Sequence, residues 1–166
     1  IPPQCPRPGL PIILQLDARR QPSPLYIYPK EKSTMNIQYK TGLIPTTAEI
    51  IEVYDSSGIN RPTKDPHRIA GMYAHSNLVI TAWDDHRLVG ISRSLTDLHY
   101  SCYLSDLAVR KEFQKQGIGK ELVRLTKEAL GPTCMLLLLA APAAIDYYPK
   151  IGMDKLDNAF MIKRDH

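Results

Sequence analysis

The chain has 166 residues, 43% of them hydrophobic, with 21 Lys and Arg against 17 Asp and Glu for a net charge of +4. That length suits one domain with an adequate core, and no apolar run approaches the eighteen or so residues of a membrane span, so no membrane association is expected. The excess charge does not describe a nucleic-acid surface: residues 1–34 hold five basic and two acidic residues (+3), the remainder sixteen against fifteen (+1), and no basic face with interleaved aromatics occurs.

Residues 1–34 also hold eight of the fourteen prolines. They lack the basic start and long apolar core of a secretory signal, and a cytoplasmic location is expected. A Pro-rich segment makes few internal hydrogen bonds. It reads as an extension, or as an arm that docks on its own domain or on a second copy to make a homodimer. Met35 then opens the folded domain, 35–166.

Within that domain the periodicity gives, in order, a strand at Ile37–Tyr39, a helix at Thr46–Asp55 with Ile50, Val53 and Tyr54 on one face, and a helix at His67–His75 opened by Asp65-Pro66. A hairpin follows, Leu78–Trp83 and Arg87–Leu95 around Asp84-Asp85-His86, then a long strand, Tyr100–Val109. A helix after Gly119 carries Ile118, Leu122, Leu125 and Ala129 on one stripe and ends at Gly131-Pro132. Cys134–Ala140 reads as a buried strand, the next segment as a helix through Lys150, and Ala159–Arg164 as a last strand. Cys5, Cys102 and Cys134 are odd in number and without Cys-x-x-Cys spacing, so neither a disulfide framework nor a zinc site is expected. His67 and His75 are eight residues apart and cannot share one ion, and no metal is expected.

The strand–helix junction QKQGIGKEL, residues 114–122, carries the chemistry. A helix start offers unpaired N–H groups and the positive end of a dipole, and glycines there let the backbone approach an anion. The spacing is not that of a Walker loop, because Lys120 precedes Glu121, nor of a dinucleotide fingerprint, whose third Gly would fall at Leu122.

Gln114-x-x-Gly117-x-Gly119 resembles the pyrophosphate loop of the Gcn5-related N-acetyltransferases. The preceding YLSDLAV is similar to that family's central strand, and Ala143–Met153 (AAIDYYPKIGM) to its A-x-x-F-Y-x-K-x-G-F segment. The resemblance covers about Asn36 to Arg164. Met153 replaces an aromatic, Pro149 stands within the helix-like segment, and Ala141 stands where many members have Asn. The resemblance implies an α/β (α+β) fold: a mixed, mainly antiparallel sheet with splayed central parallel strands and helices on both faces. It implies acetyl-CoA as cosubstrate and transfer of an acetyl group to a primary amine by direct attack in a ternary complex. A non-catalytic acyl-CoA-binding sensor or scaffold module is the other reading.

Residue by residue, the resemblance assigns the strand backbone of Leu107, Ala108 and Val109 to the pantetheine arm. Gln114, Lys115, Gln116, Gly117, Ile118, Gly119 and Lys120 go to the pyrophosphate. Tyr148 is the expected donor to the departing thiolate, since a phenol with a pKa of about 10 stays protonated at neutral pH. Tyr147 is expected to pack in the core or against the cofactor. Asp106 is either a base acting through water or a structural carboxylate beside a bulge, and a backbone N–H near Leu107 is the expected oxyanion donor. The acceptor, a small-molecule amine or a protein lysine, is expected among 54–64, 95–103 and 157–160. Those segments and their flanks carry Asp55, Asp65, Asp97 and Asp157 with Tyr54, Tyr100 and Tyr103. Acids with aromatics suit a cationic amine, although each acid also suits a cap or a turn.

Overall fold

The computed structural model describes residues 36–165; the expectations for residues 1–34, and for Cys5 within them, lie outside it. The first helix, α1 (Thr47–Ser57), starts where a capping box permits it: the Thr46 hydroxyl accepts from the Glu49 N–H, and the Glu49 carboxylate accepts from the Thr46 N–H at 2.8 Å. Gly58, at φ 80°, ends it in the left-handed conformation that glycine adopts without strain. The second, α2 (Pro66–Ala74), starts at Pro66 with Asp65 accepting from the Arg68 N–H at 2.9 Å.

Five strands form one sheet in chain order: β1 (Ile37–Thr41), β2 (Leu78–Asp84), β3 (Arg87–Thr96), β4 (Ser101–Val109) and β5 (Met135–Leu137). The first three pairings are antiparallel and the last is parallel. Alternation along β2 sends Val79 and Trp83 to one face, with α1 and α2, and Leu78, Ile80 and Ala82 to the other, with α3 (Ile118–Leu130). Helices therefore cover both faces, as expected. Gly90 lets α3 lie close to the sheet, since a Cβ there would stand 3.2 Å from the side chains of Ile118 and Leu122.

Several expectations fail. The buried stripe of α3 is Ile118, Leu122, Val123, Thr126 and Leu130, while Ala129 is exposed. Thr126 can be buried because its hydroxyl donates to the Leu122 carbonyl and lies 2.8 Å from that of Ser92. The helix through Lys150 is replaced by two single 3-10 turns, Pro142–Ala144 and Pro149–Ile151, each opened by a proline. Its backbone bonds run three residues back, as from Tyr147 to Ala144 and from Lys150 to Tyr147. Pro149 has no N–H to continue an α-helical ladder. Residues 159–164 form no strand, and Phe160 and Ile162 are 99% exposed. The strand expected at Cys134–Ala140 shortens to Met135–Leu137, which offers little edge for another strand to pair with. The parallel pair consequently lies at the sheet's edge among the described residues.

The pair also splays. β4 and β5 are in register only from Ser101↔Met135 to Tyr103↔Leu137. Beyond Tyr103, β4 carries a bulge: Ser94 of β3 pairs with Leu104 and Arg93 with Asp106, leaving Ser105 extra. Asp106 anchors this bulge. Its side chain is fully buried, one oxygen accepting from Arg61 Nε and the other from Arg93 Nε and, at 2.8 Å, from the Tyr54 hydroxyl. Arg61 also donates to the Ser105 carbonyl at 2.7 Å and Arg93 to the Ser105 hydroxyl at 2.8 Å, so the extra residue is held on both sides. Burial raises the Asp106 pKa, but the Arg93 hydrogen bond and charge, with the Arg61 charge, outweigh it and hold the carboxyl below its ordinary range.

A depressed native pKa makes the ionised carboxylate stabilising above its unfolded pKa of about 3.9, with that contribution lost as pH falls through the native value. Asp106→Asn leaves Arg93 buried without its counter-charge, and the expected cost at pH 7 is about 3–5 kcal/mol, read as the shift of a urea unfolding curve. The difference between parent and variant should shrink below about pH 4. A variant as stable as the parent at pH 7 would mean that the carboxylate does not anchor the bulge.

Candidate active site

The splay leaves the second half of β4, Leu104–Val109, without a strand neighbour on the β5 side. The loop after β4 turns back at this end. A 3-10 turn at Lys111–Phe113 buries Phe113, and the Gln114 side-chain amide donates to the carbonyls of Val109 (2.9 Å) and Ser57 (3.3 Å). Gln114 thus ties the loop to β4 and α1. Gln116 makes a comparable tie to the Glu112 carbonyl at 2.9 Å.

Between those ties the backbone is left-handed twice, at Lys115 (φ 62°) and Gly117 (φ 88°), and Gly117 caps α3 with no side-chain bond. From Gln116 to Lys120 the N–H groups have no protein acceptor among the described residues; the first α3 bond runs from Glu121 N–H to the Gly117 carbonyl. Successive free N–H groups of this kind form an anion-binding concavity at the positive end of a helix. Gln114 to Gly117 and Lys120 are exposed, while Ile118 is buried beneath the loop, so only its backbone is available.

Tyr147 packs over the same helix start. Its hydroxyl would lie 3.0 Å from a Cβ on Gly119, so glycine there lets the ring pack closely over the helix start. Tyr148 meets Tyr147 edge to face, with ring centroids 5.4 Å apart, and is half-buried. Burial raises the Tyr148 phenol pKa and Tyr147 adds to the rise, with the Arg61 charge opposing them. The phenol therefore keeps its proton at neutral pH.

On the other side of β4 lies an open cleft of about 530 Å³. Arg61, Arg68, Arg93 and Arg164 line it, with Met72, Tyr103 and Leu139 among its apolar walls. The expected acidic acceptor site does not form here: Asp55, Asp65, Asp97 and Asp157 are absent from the lining. Asp65 caps α2, and Asp97 accepts from the N–H groups of His99, Tyr100 and Ser101, led by Tyr100, which lowers its pKa to about 2. Of the three tyrosines, Tyr103 borders the cleft, Tyr100 is exposed, and Tyr54 is buried against Asp106.

The arginines were not singled out from the sequence. A signal existed: Arg93 and Asp106 are charges in the interior of strands, and a charge buried within a strand calls for a partner. Cys102 and Cys134 are buried, and burial raises the Cys102 thiol pKa, as suits packing rather than nucleophilic roles. No group of three or more metal-ligating side chains occurs among the described residues, and no described helix is long and apolar enough to cross a membrane.

Comparison with known proteins agrees with this arrangement. Residues 75–152, which include β4, the loop, α3 and both tyrosines, match the acetyltransferase (GNAT) domain family. An uncharacterised N-acetyltransferase of Porphyra purpurea is 28% identical over 64% of this chain, and the chain spans 64% of that relative's length. A GNAT-family acetyltransferase from Streptococcus pneumoniae superposes with a TM-score of 0.66 at 22% identity, covering 78% of this chain and 98% of that one. An aminoglycoside N-acetyltransferase solved in complex with CoA gives 0.61 at 10% identity, covering 79% and 96%. At those identities the two structures speak for the fold. The matched segment, which holds the loop and the bulged strand, is similar to the acetyltransferase (GNAT) domain family, and the described residues share the fold of the two acetyltransferase structures.

Proposed function

We propose that this protein transfers the acetyl group of acetyl-CoA to a primary amine by direct attack in a ternary complex. The observation that carries the proposal is the run of five unpartnered N–H groups, Gln116 to Lys120, at the end of a strand that diverges from its parallel neighbour. These groups fit a pyrophosphate: they are consecutive, Gln116, Gly117 and Lys120 are exposed, and Gly117 and Gly119 carry no side chain. Lys115 and Lys120 add positive charge beside them. The backbone of Leu107, Ala108 and Val109 has no strand neighbour on the β5 side, with the Val109 carbonyl already accepting from Gln114, and suits the amides of a pantetheine arm. Gln114 and Ile118 serve the site by holding the loop in shape. Bound acetyl-CoA would supply the activated thioester.

The chain's own residues then divide the remaining tasks. We assign the Leu107 N–H to the thioester carbonyl oxygen, where negative charge grows during attack. Tyr148 holds a proton at its hydroxyl for donation to the leaving sulfur. We assign Asp106 to the bulge and not to proton abstraction, because both its oxygens accept from guanidinium or phenol donors and its pKa is depressed. No carboxylate is among the described residues that line the cleft; Asp106 lies buried behind Arg61 and Arg93. The cleft volume suits a small-molecule amine better than a protein side chain presented on a folded surface.

A thiol-release assay with acetyl-CoA across a panel of primary amines tests the activity. Thiol release that depends on the amine supports it, and CoA binding without turnover on any amine would favour a sensor or scaffold. For the loop, Gly117→Val strains a position at φ 88° and should weaken CoA binding about tenfold, measured by calorimetry. Unchanged affinity would remove the loop from the site. For the phenol, Tyr148→Phe should lower kcat on the order of 10²-fold with CoA affinity nearly unchanged. A variant as fast as the parent would reduce Tyr148 to packing.

A further inference from the structure

Seven arginines occur among residues 36–165. The three outside the cleft are each paired with glutamate: Arg87 with Glu112, Arg110 with Glu52, and Arg124 with Glu121 and Glu128. Of the four that line the cleft, Arg61 and Arg93 share one carboxylate, that of Asp106, which lies between them. Arg68 and Arg164 make no ion pair among the described residues. With Asp106 between Arg61 and Arg93, and Asp65 bonded to the Arg68 backbone N–H, the four guanidiniums outnumber the carboxylates beside them, on a surface whose other described arginines are paired locally.

Resting on the acetyltransferase reading of the site, we infer that the acceptor is a primary amine that also carries an anionic oxygen group, a carboxylate or a phosphate, bound by Arg68 and Arg164. A guanidinium presents paired N–H donors that match two oxygens of either group. Arg61 and Arg93 are held in place by Asp106, so they supply field and fixed geometry, while Arg68 and Arg164 have donors to give. Met72 and Tyr103 provide an apolar wall for the body of the ligand. A polyamine or other polycation has no complementary charge here and would be repelled.

The test compares matched acceptors in the thiol-release assay: an amino acid against its carboxamide, and a phosphorylated amino alcohol against the free alcohol. The anionic member of at least one pair should be preferred about tenfold or more in kcat/KM, and the preferred pair identifies the group. Arg68→Gln and Arg164→Gln, both at exposed positions, should each collapse that preference through KM, with Arg68→Lys restoring part of it. Equal or reversed preference in both pairs would overturn the inference while leaving the acetyltransferase intact. The converse is separated by calorimetry with succinate and with inorganic phosphate. Binding that is lost in Arg68→Gln, with no thiol released from any amine, would keep the anion site and overturn the acetyltransferase. No preference among turned-over amines, or no turnover together with no anion binding, overturns the anion site.

Discussion

One buried carboxylate fixes the geometry on which the site depends. Asp106 joins β3 through Arg93, the α1–α2 connection through Arg61 and the core of α1 through Tyr54, whose hydroxyl lies 2.7 Å from that of Tyr73. Burying such charges is costly, and an apolar substitute of similar volume is often as stable. An apolar residue could not bring two guanidiniums to the one place where β4 has an extra residue. The ion group holds the bulge at the point of β4 where pairing with β5 has ended, next to the backbone that the proposed function gives to a cosubstrate.

The far end of β4 is set by a different kind of constraint, absence of side chain. Gly90 admits α3 close to the sheet, and Gly119 admits the Tyr147 hydroxyl over the helix start. The loop between strand and helix is consequently clamped by packing on α3 and by the Gln114 bonds to Val109 and Ser57. Its N–H groups gain their orientation from neighbours that need not touch a ligand.

Much of this was readable from residue order alone, because the signals were local. Thr46 with Glu49, Asp65 with Pro66, and Gly131 mark helix ends by chemistry that acts within one turn. The glycine loop declared itself in the same way. Errors arose where a distant partner decided the outcome. Thr126 displaced Ala129 from the buried face of α3 because Ser92 was there to bond it. The apolar run at 159–162 alternates poorly and meets only a three-residue strand at the sheet edge, so propensity without a partner produced no strand. Pro149 converted an expected helix into 3-10 turns, a local signal given too little weight. The arginine cleft was hidden because it gathers Arg61, Arg68, Arg93 and Arg164 from four separate segments, and only the register Arg93↔Asp106 brings its anchor together.

On the proposed function, the same charges would act on an amine nucleophile itself. An alkylamine of lysine type, with a pKa near ~10.4, is about one part in a thousand unprotonated near neutral pH. Only that fraction has the lone pair needed for attack. Under the proposed function, a cleft lined by four arginines and no carboxylate among the described residues disfavours the ammonium form of an amine bound in it. Each unit by which the amine's pKa falls multiplies its reactive fraction tenfold. Surplus positive charge thereby does thermodynamically part of what a general base does kinetically: it supplies free amine at the point of reaction without any residue having to hold the proton.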